Sequence, residues 1–355
     1  MGTRHLRDGL WKRKGRPAVI PENFDDGFVI GTTMPTTANT GVYASLPRLT
    51  YDGPALIDGS TDPLAPLVID SRNVDRLLTV RSGYVRFVNC LFTGGPGTFD
   101  TGQVDCRAAG VGRVWFERCT FTPAQRSFYL NALIGHHMTV RRCYAAGVVD
   151  FVGSYNTHAP ATDNVIEGNY LSWLVRYETD HVHTDGTHND GIQHQGGSGL
   201  VVRGNFLWGR MFYEDGATVP TGDYGTRPAQ GVLVQQNVQT GTACNPVIEN
   251  NWVRGWQHPI VVKTRSSGGT AYNATITNNV WLDDDQRYYG TTEEYGLPGR
   301  PYNIRCDAAV TVNGISYPLG SATQDTNGNA YAVVPEVHAN RRGQPVYVRR
   351  DTFTG

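Results

Sequence analysis

The densest chemistry in the chain lies at residues 178–195, ETDHVHTDGTHNDGIQHQ, which hold four of the ten histidines together with Asp180, Asp185 and Asp190. Hydrolysis of a glycosidic bond needs two carboxyl groups in a groove, one to donate a proton and one to activate water or attack. Asp185 and Asp190 are the candidates for that pair. Further on, VVKTR at 261–265 supplies Lys263 and Arg265, cations suited to an acidic sugar, with Lys263 also able to serve as the base of an elimination. On an extended strand His181, His183 and Asp185 share one face. That spacing also suits a metal bound through nitrogen and oxygen, although no metal or other cofactor is assigned.

His181, His183, His188, Gln193 and His194 are the polar side chains expected to contact substrate. In DGIQ (190–193), Ile192 fits an inward strand position, which leaves Gly191 and Gln193 facing out, and the flat face beside Gly191 suits a sugar ring. Trp208 and Trp252 are candidate stacking platforms, or equally rings that cover the core from outside. The cluster also has a purely structural reading. Asp, Asn, His and Gly gather in tight turns for conformational reasons, and His and Gln can act as hydrogen-bonded rungs.

A recurring phrase indicates what must position these residues. It reads VRFVNCLF (85–92), VWFERCTF (114–121), MTVRRCYA (138–145), NVIEGNYL (164–171), LVVRGNFL (200–207), PVIENNWV (246–253) and ATITNNVW (274–281). Its sixth slot holds Cys90, Cys119, Cys143, Asn169, Asn205, Asn251 and Asn279 in turn. Apolar residues alternate before the slot, the signature of a strand with one buried face. Units of this size cannot bury an apolar face alone, so the copies must stack. Strands recurring without helices between them predict an all-β chain, the coils of a right-handed parallel β-helix. Stacked Asn side chains can bond from coil to coil, with Cys as a small apolar substitute. The two longest intervals, 169 to 205 and 205 to 251, mark inserted loops on one side, where such stacks place binding surfaces.

Residues 1–40 read as an attachment arm, basic around Trp11 yet rich in apolar residues such as Leu10, Ile20, Phe24 and Ile30. The β-helix is expected over 41–285, followed by an irregular excursion and terminal coil or cap over 286–355. There VYVRRDTFT (346–354) matches VWFERCTFT (114–122), with Asp351 in the slot. A net charge of −1 argues against nucleic acid as a partner. The six cysteines form no CxxC pair, and three occupy the slot, so buried reduced thiols are expected. The basic start lacks an apolar run, which predicts no secretory signal, and no segment predicts membrane insertion.

HTDG (183–186) resembles the NTDG motif of polygalacturonase-type β-helix glycosidases, and VVKTR resembles their RIK motif. That family's second paired-Asp motif and GHG motif have no counterpart in the chain, so only Asp185 and Lys263 map onto it. Across most of its length the chain resembles the β-helical minor tail proteins and tailspikes of phages that infect actinobacteria. The features carrying this are the N-terminal arm, TTANTGVYASL (36–46) and DGIQHQGGSGLVVRGNFL (190–207). The resemblance implies a virion protein made in the host cytoplasm, joined through its N-terminal region to other tail proteins. It also implies a homotrimer that recognises host cell-surface polysaccharide and, in some relatives, cleaves it. The alternatives are a polysaccharide hydrolase or lyase on the same fold, and a purely structural tail-tip subunit.

Overall fold

Alternating apolar residues interrupted by glycine and asparagine favour strands over any helix. The computed structural model describes residues 27–97, 100–155, 161–178, 186–213, 228–239, 244–263, 273–282, 303–306, 309–317, 323–324, 330–333, 340–344 and 346–350. Every regular element among the described residues is a β-strand.

Successive repeats pair in parallel and in register, forming three ladders. In the ladder before the slot, Ile69, Phe87, Phe116, Val140, Ile166, Val202, Ile248, Ile276 and Val312 are consecutive partners. In the ladder after it, the file is Val74, Phe92, Phe121, Ala145, Leu171, Leu207, Val253 and Trp281. In the third, Leu78, Val104, Leu133, Val152, Ile192, Val232, Ile260, Ile304 and Val348 follow one another. All three files are buried and meet in one core. Like side chains stack there, with Phe87 on Phe116 at 5.2 Å and Phe92 on Phe121 at 4.8 Å between centroids. All six cysteines are free and buried.

The corner at the slot has one repeated geometry. The residue before each slot is left-handed: Asn89, Arg118, Arg142, Gly168, Gly204, Asn250 and Asn278 have φ between 51° and 65°. A left-handed residue costs roughly 1–2 kcal/mol in any side chain but Gly, with Asn the best tolerated. The slot then turns inward. Asn205 Oδ1 accepts the Asn169 backbone N–H at 3.0 Å and its Nδ2 at 2.8 Å, while Asn205 Nδ2 donates to Ile166 O at 2.9 Å. Asn251 does the same for Asn205, and Asn279 for Asn251. The Cys90, Cys119 and Cys143 thiols each reach a carbonyl of the preceding repeat. The predicted single file is therefore present.

Arg118 and Arg142 hold their left-handed positions for a reason visible only in three dimensions. Arg118 lies over the Tyr43 ring at 4.1 Å and Arg142 over the Phe28 ring at 4.5 Å. Gly41 N donates to Arg142 O, and Tyr43 N to Asn89 Oδ1, both at 2.7 Å. Residues 27–51 thus form a strap across the corners of successive repeats. Gly204 is required beneath it, because a Cβ there would lie 2.4 Å from Gly31 N. The later part of the expected attachment arm, residues 27–40, is accordingly bound to its own chain, and residues 1–26 lie outside the described residues.

The ladders continue beyond residue 285. Val348 pairs with Ile304 in the third ladder, so VYVRRDTFT does not repeat the pre-slot phrase it matches. The correction has a plain cause: all three ladders share the same alternation, and a strand's pattern does not say which ladder it joins. Asp351 lies outside the described residues. At this end Asn340 Nδ2 donates to Asn279 O at 2.7 Å, and Gln344 exchanges hydrogen bonds with the Trp281 backbone, closing the corner as a cap. At the opposite end Leu49, Leu56, Leu64 and Val68 are exposed.

On the outer side of the pre-slot ladder, the Glu167 side chain is 1% exposed between Arg141 (2.5 Å) and Arg203 (2.6 Å), one on each neighbouring repeat. Removing the partners of a buried charge leaves it uncompensated. Arg141→Ala combined with Arg203→Ala, which leaves Glu167 buried and unpaired, is expected to cost about 3–5 kcal/mol in urea unfolding; a loss below about 0.5 kcal/mol would mean that water already screens the trio.

Candidate functional site

Strand Asp190–Gly196 of the third ladder carries the predicted Asp190, Gln193 and His194. His181, His183, Asp185 and Arg265 lie outside the described residues. Among the described residues that flank 179–185, Thr187 N donates to Tyr177 O at 2.9 Å, and Tyr177 N to Thr187 Oγ1 at 3.2 Å. Asn189 then fastens the corner through Val149 O and Val175 O. His188 alone of 186–190 is exposed.

Asp190, a candidate for a carboxyl pair in a groove, does not face one. It is 1% exposed, and its Oδ1 accepts the Gln230 backbone N–H at 2.9 Å. Its own N–H donates to Asp150 Oδ1 at 2.7 Å on the preceding repeat. The two carboxyl groups are rungs that cap amides, as the asparagines do at the slot. Burial pushes Asp190 well above the ordinary carboxylate range, and Asp150 adds to the rise. The Gln230 amide, the Lys263 charge and the Gln193 side chain oppose it, which brings Lys263 and Gln193 within electrostatic range of Asp190. Asp150 is pushed up to about 7 by burial.

Other sequence expectations change in the same way. The face beside Gly191 is already filled: a Cβ there would meet Gly231 O at 2.4 Å and the Trp256 indole at 3.1 Å. His194 is buried, with Nδ1 3.0 Å from Ser154 Oγ and Nε2 3.1 Å from Gly197 O, so it is a rung and not a substrate contact. Burial pushes its pKa down to about 4, which keeps the imidazole neutral. Trp252 is 4% exposed, in a ring file with Tyr170 and Phe206 and with Arg341 over its face at 4.1 Å. It covers the core from outside and offers no free platform. Gln193 is half-buried and accepts a hydrogen bond from Gln195 at 2.6 Å. Among the described residues, no group of three or more His, Cys, Asp or Glu side chains is arranged to hold a metal ion.

Trp208 leads to a second cluster, at the corner between the post-slot and third ladders. Its ring is half-buried between the guanidinium groups of Arg210 at 4.0 Å and Arg254 at 4.9 Å. Arg210 also lies 5.3 Å from the Phe212 ring, Phe212 meets Trp173 edge-on at 5.4 Å, and Arg126 lies over Trp173 at 4.7 Å. Gly147, left-handed at φ 72°, makes room beneath, since a Cβ there would lie 2.9 Å from Trp173 and 3.1 Å from Arg126 Nε. The residues at 178–186 and 214–227, in the two longest intervals, follow directly from Tyr177 and Tyr213 beside this row. Trp208 is a candidate named from the sequence, whereas Arg126, Arg210 and Arg254 are not. Trp208, Arg210 and Phe212 fall at every second position in sequence, but strand Phe206–Trp208 breaks at Gly209 and Arg210 before Met211–Tyr213, and the cluster forms across that break.

No family model matches the chain, and neither a curated protein nor a solved structure does.

Proposed function

We propose that the stacked repeats form a right-handed parallel β-helix, and that the protein is a phage tail component that binds host cell-surface polysaccharide along its flank. The observation carrying the binding reading is the half-exposed aromatic row Trp173, Trp208 and Phe212, gathered from separate repeats at the corner from which the longest intervals depart. Guanidinium groups held against rings on a rigid stack can donate N–H groups to the polar groups of an extended sugar polymer. Binding without cleavage is the favoured form of this reading, because Asp190 is committed to a backbone amide and is shielded from solvent. The resemblance to tail proteins supplies the remaining elements: attachment to other tail proteins through the N-terminal region and a homotrimer.

The test is to pass purified protein over immobilised bacterial cell-envelope polysaccharide and to assay the eluate for sugar products. Retention without new reducing ends or unsaturated sugars is expected. Released products would replace binding with depolymerisation, and no retention on any envelope preparation would overturn the reading. Light scattering is expected to return three times the 39.0 kDa chain mass.

A further inference from the structure

Resting on the glycan-binding reading, we infer that the row Arg126, Trp173, Phe212, Arg210, Trp208 and Arg254 is a site for an acidic polysaccharide, its guanidinium groups pairing with the polymer's carboxylate or phosphate groups.

The geometry carries this further than it carries a neutral sugar. Trp208 has guanidinium groups at 4.0 and 4.9 Å, so its ring holds cations and has no face left for a pyranose. The N–H edge of a guanidinium matches a carboxylate or phosphate in bidentate fashion. Arg210 is held on both sides, by Trp208 at 4.0 Å and Phe212 at 5.3 Å, with Ser172 Oγ at 3.5 Å from Nη2. Its buried Nε makes no hydrogen bond among the described residues.

The three cations also recur with the stack. Arg254 lies on the Asn251 repeat and is the register partner of Trp208 on the Asn205 repeat. Arg126 reaches across Gly147 to Trp173 on the Asn169 repeat. Positive charge therefore comes from the Cys119, Asn205 and Asn251 repeats, the last two adjacent and about 4.8 Å apart along the stack. An extended polyacid laid along the stack meets Arg210 and Arg254 on those adjacent repeats. Glu178, bonded to the Tyr213 hydroxyl, marks one edge of the row with the opposite charge. Single-stranded nucleic acid, also an extended polyanion, binds by stacking bases on open ring faces; with Trp208 occupied on its faces, it is the poorer fit.

The test compares polygalacturonate, its carboxyl-reduced form, poly(glycerol phosphate), dextran and a single-stranded oligonucleotide as immobilised probes. The wild-type chain is expected to hold polygalacturonate or poly(glycerol phosphate) at least about tenfold better than dextran, with one bidentate contact able to supply that factor. Which of the two it holds identifies carboxylate or phosphate. Arg210→Ala combined with Arg254→Ala is expected to abolish that preference, and the double Lys replacement to restore it only in part. Arg81→Ala, in the exposed pair with Asp58, is expected to leave binding unchanged. Equal retention of dextran or of the carboxyl-reduced polymer would overturn the acidic-ligand inference while leaving glycan binding standing. So would a preference for the oligonucleotide, or undiminished binding by the double Ala variant. The wild-type comparison of polygalacturonate with its reduced form decides the matter even if the double variant does not fold. Failure to retain envelope polysaccharide itself would instead remove the glycan-binding reading.

Discussion

Asn205→Ala is expected to lower the unfolding free energy by about 3–5 kcal/mol. Four hydrogen bonds go with the side chain: two accepted from Asn169 and two donated, to Ile166 O and Asn251 Oδ1. The donors left behind on Asn169 are buried, and an unsatisfied buried donor costs about 1–3 kcal/mol. Asn205→Cys is expected to lose roughly half as much, because a thiol at Cys90, Cys119 and Cys143 already bonds a carbonyl of the preceding repeat. Urea unfolding of both variants reads the difference. A loss below about 1 kcal/mol for the Ala variant would show that the file of slot side chains does not hold the corner together.

The second large effect depends on pH. Asp150 has a folded pKa raised to about 7, so the folded chain binds a proton that the unfolded chain releases near the ordinary Asp value of 3.8. Protein stability must then fall as pH rises between those two values, and it stays lowered above the upper one. Its contribution is intact below pH 4 and lost through pH 7. Asp150→Asn retains an oxygen that can cap the Asp190 N–H and removes the titration. The variant is expected to match wild type at pH 4 and to exceed it by about 2–4 kcal/mol at pH 8, from a shift of about three units at 1.36 kcal/mol each, discounted for relaxation. Asp190, raised in the same direction with burial as the first cause, is expected to show the same sign on Asp190→Asn. Unfolding midpoints measured across this pH range test it. A variant less stable than wild type at pH 8 would mean that the ionised carboxylate is stabilising after all.

The stacking of repeats was legible because each slot answers to two constraints at once. A left-handed residue must precede it, and a small or amide side chain must turn inward, and few residue types satisfy either. The same constraint explains why two candidate residues were misread. Asp190 and His194 look like chemistry in a linear sequence, yet each is a hydrogen-bonded rung, Asp190 against Asp150 and Gln230 and His194 against Ser154, a role that calls on the same polar side chains as catalysis. The aromatic and arginine row was legible only in part, since its members come from the repeats of Cys119, Asn169, Asn205 and Asn251 and meet through register. Register between repeats separated by 24 to 46 residues is set by packing, and no local pattern carries it. The strap was hidden for a related reason: the partners of Phe28 and Tyr43 are Arg142 and Arg118, far along the chain.

The claim on which the rest depends is that neighbouring repeats lie side by side in one fixed register. Outward-facing Val165, Val201 and Val247 occupy consecutive rungs of the pre-slot ladder. Paired cysteine substitutions at these positions, treated with a short thiol cross-linker on the folded protein, measure the adjacency directly. Links are expected between 165 and 201 and between 201 and 247, with none between 165 and 247, which are two rungs and about 10 Å apart. Efficient linking of 165 to 247, or none at either adjacent pair, would contradict the stacking.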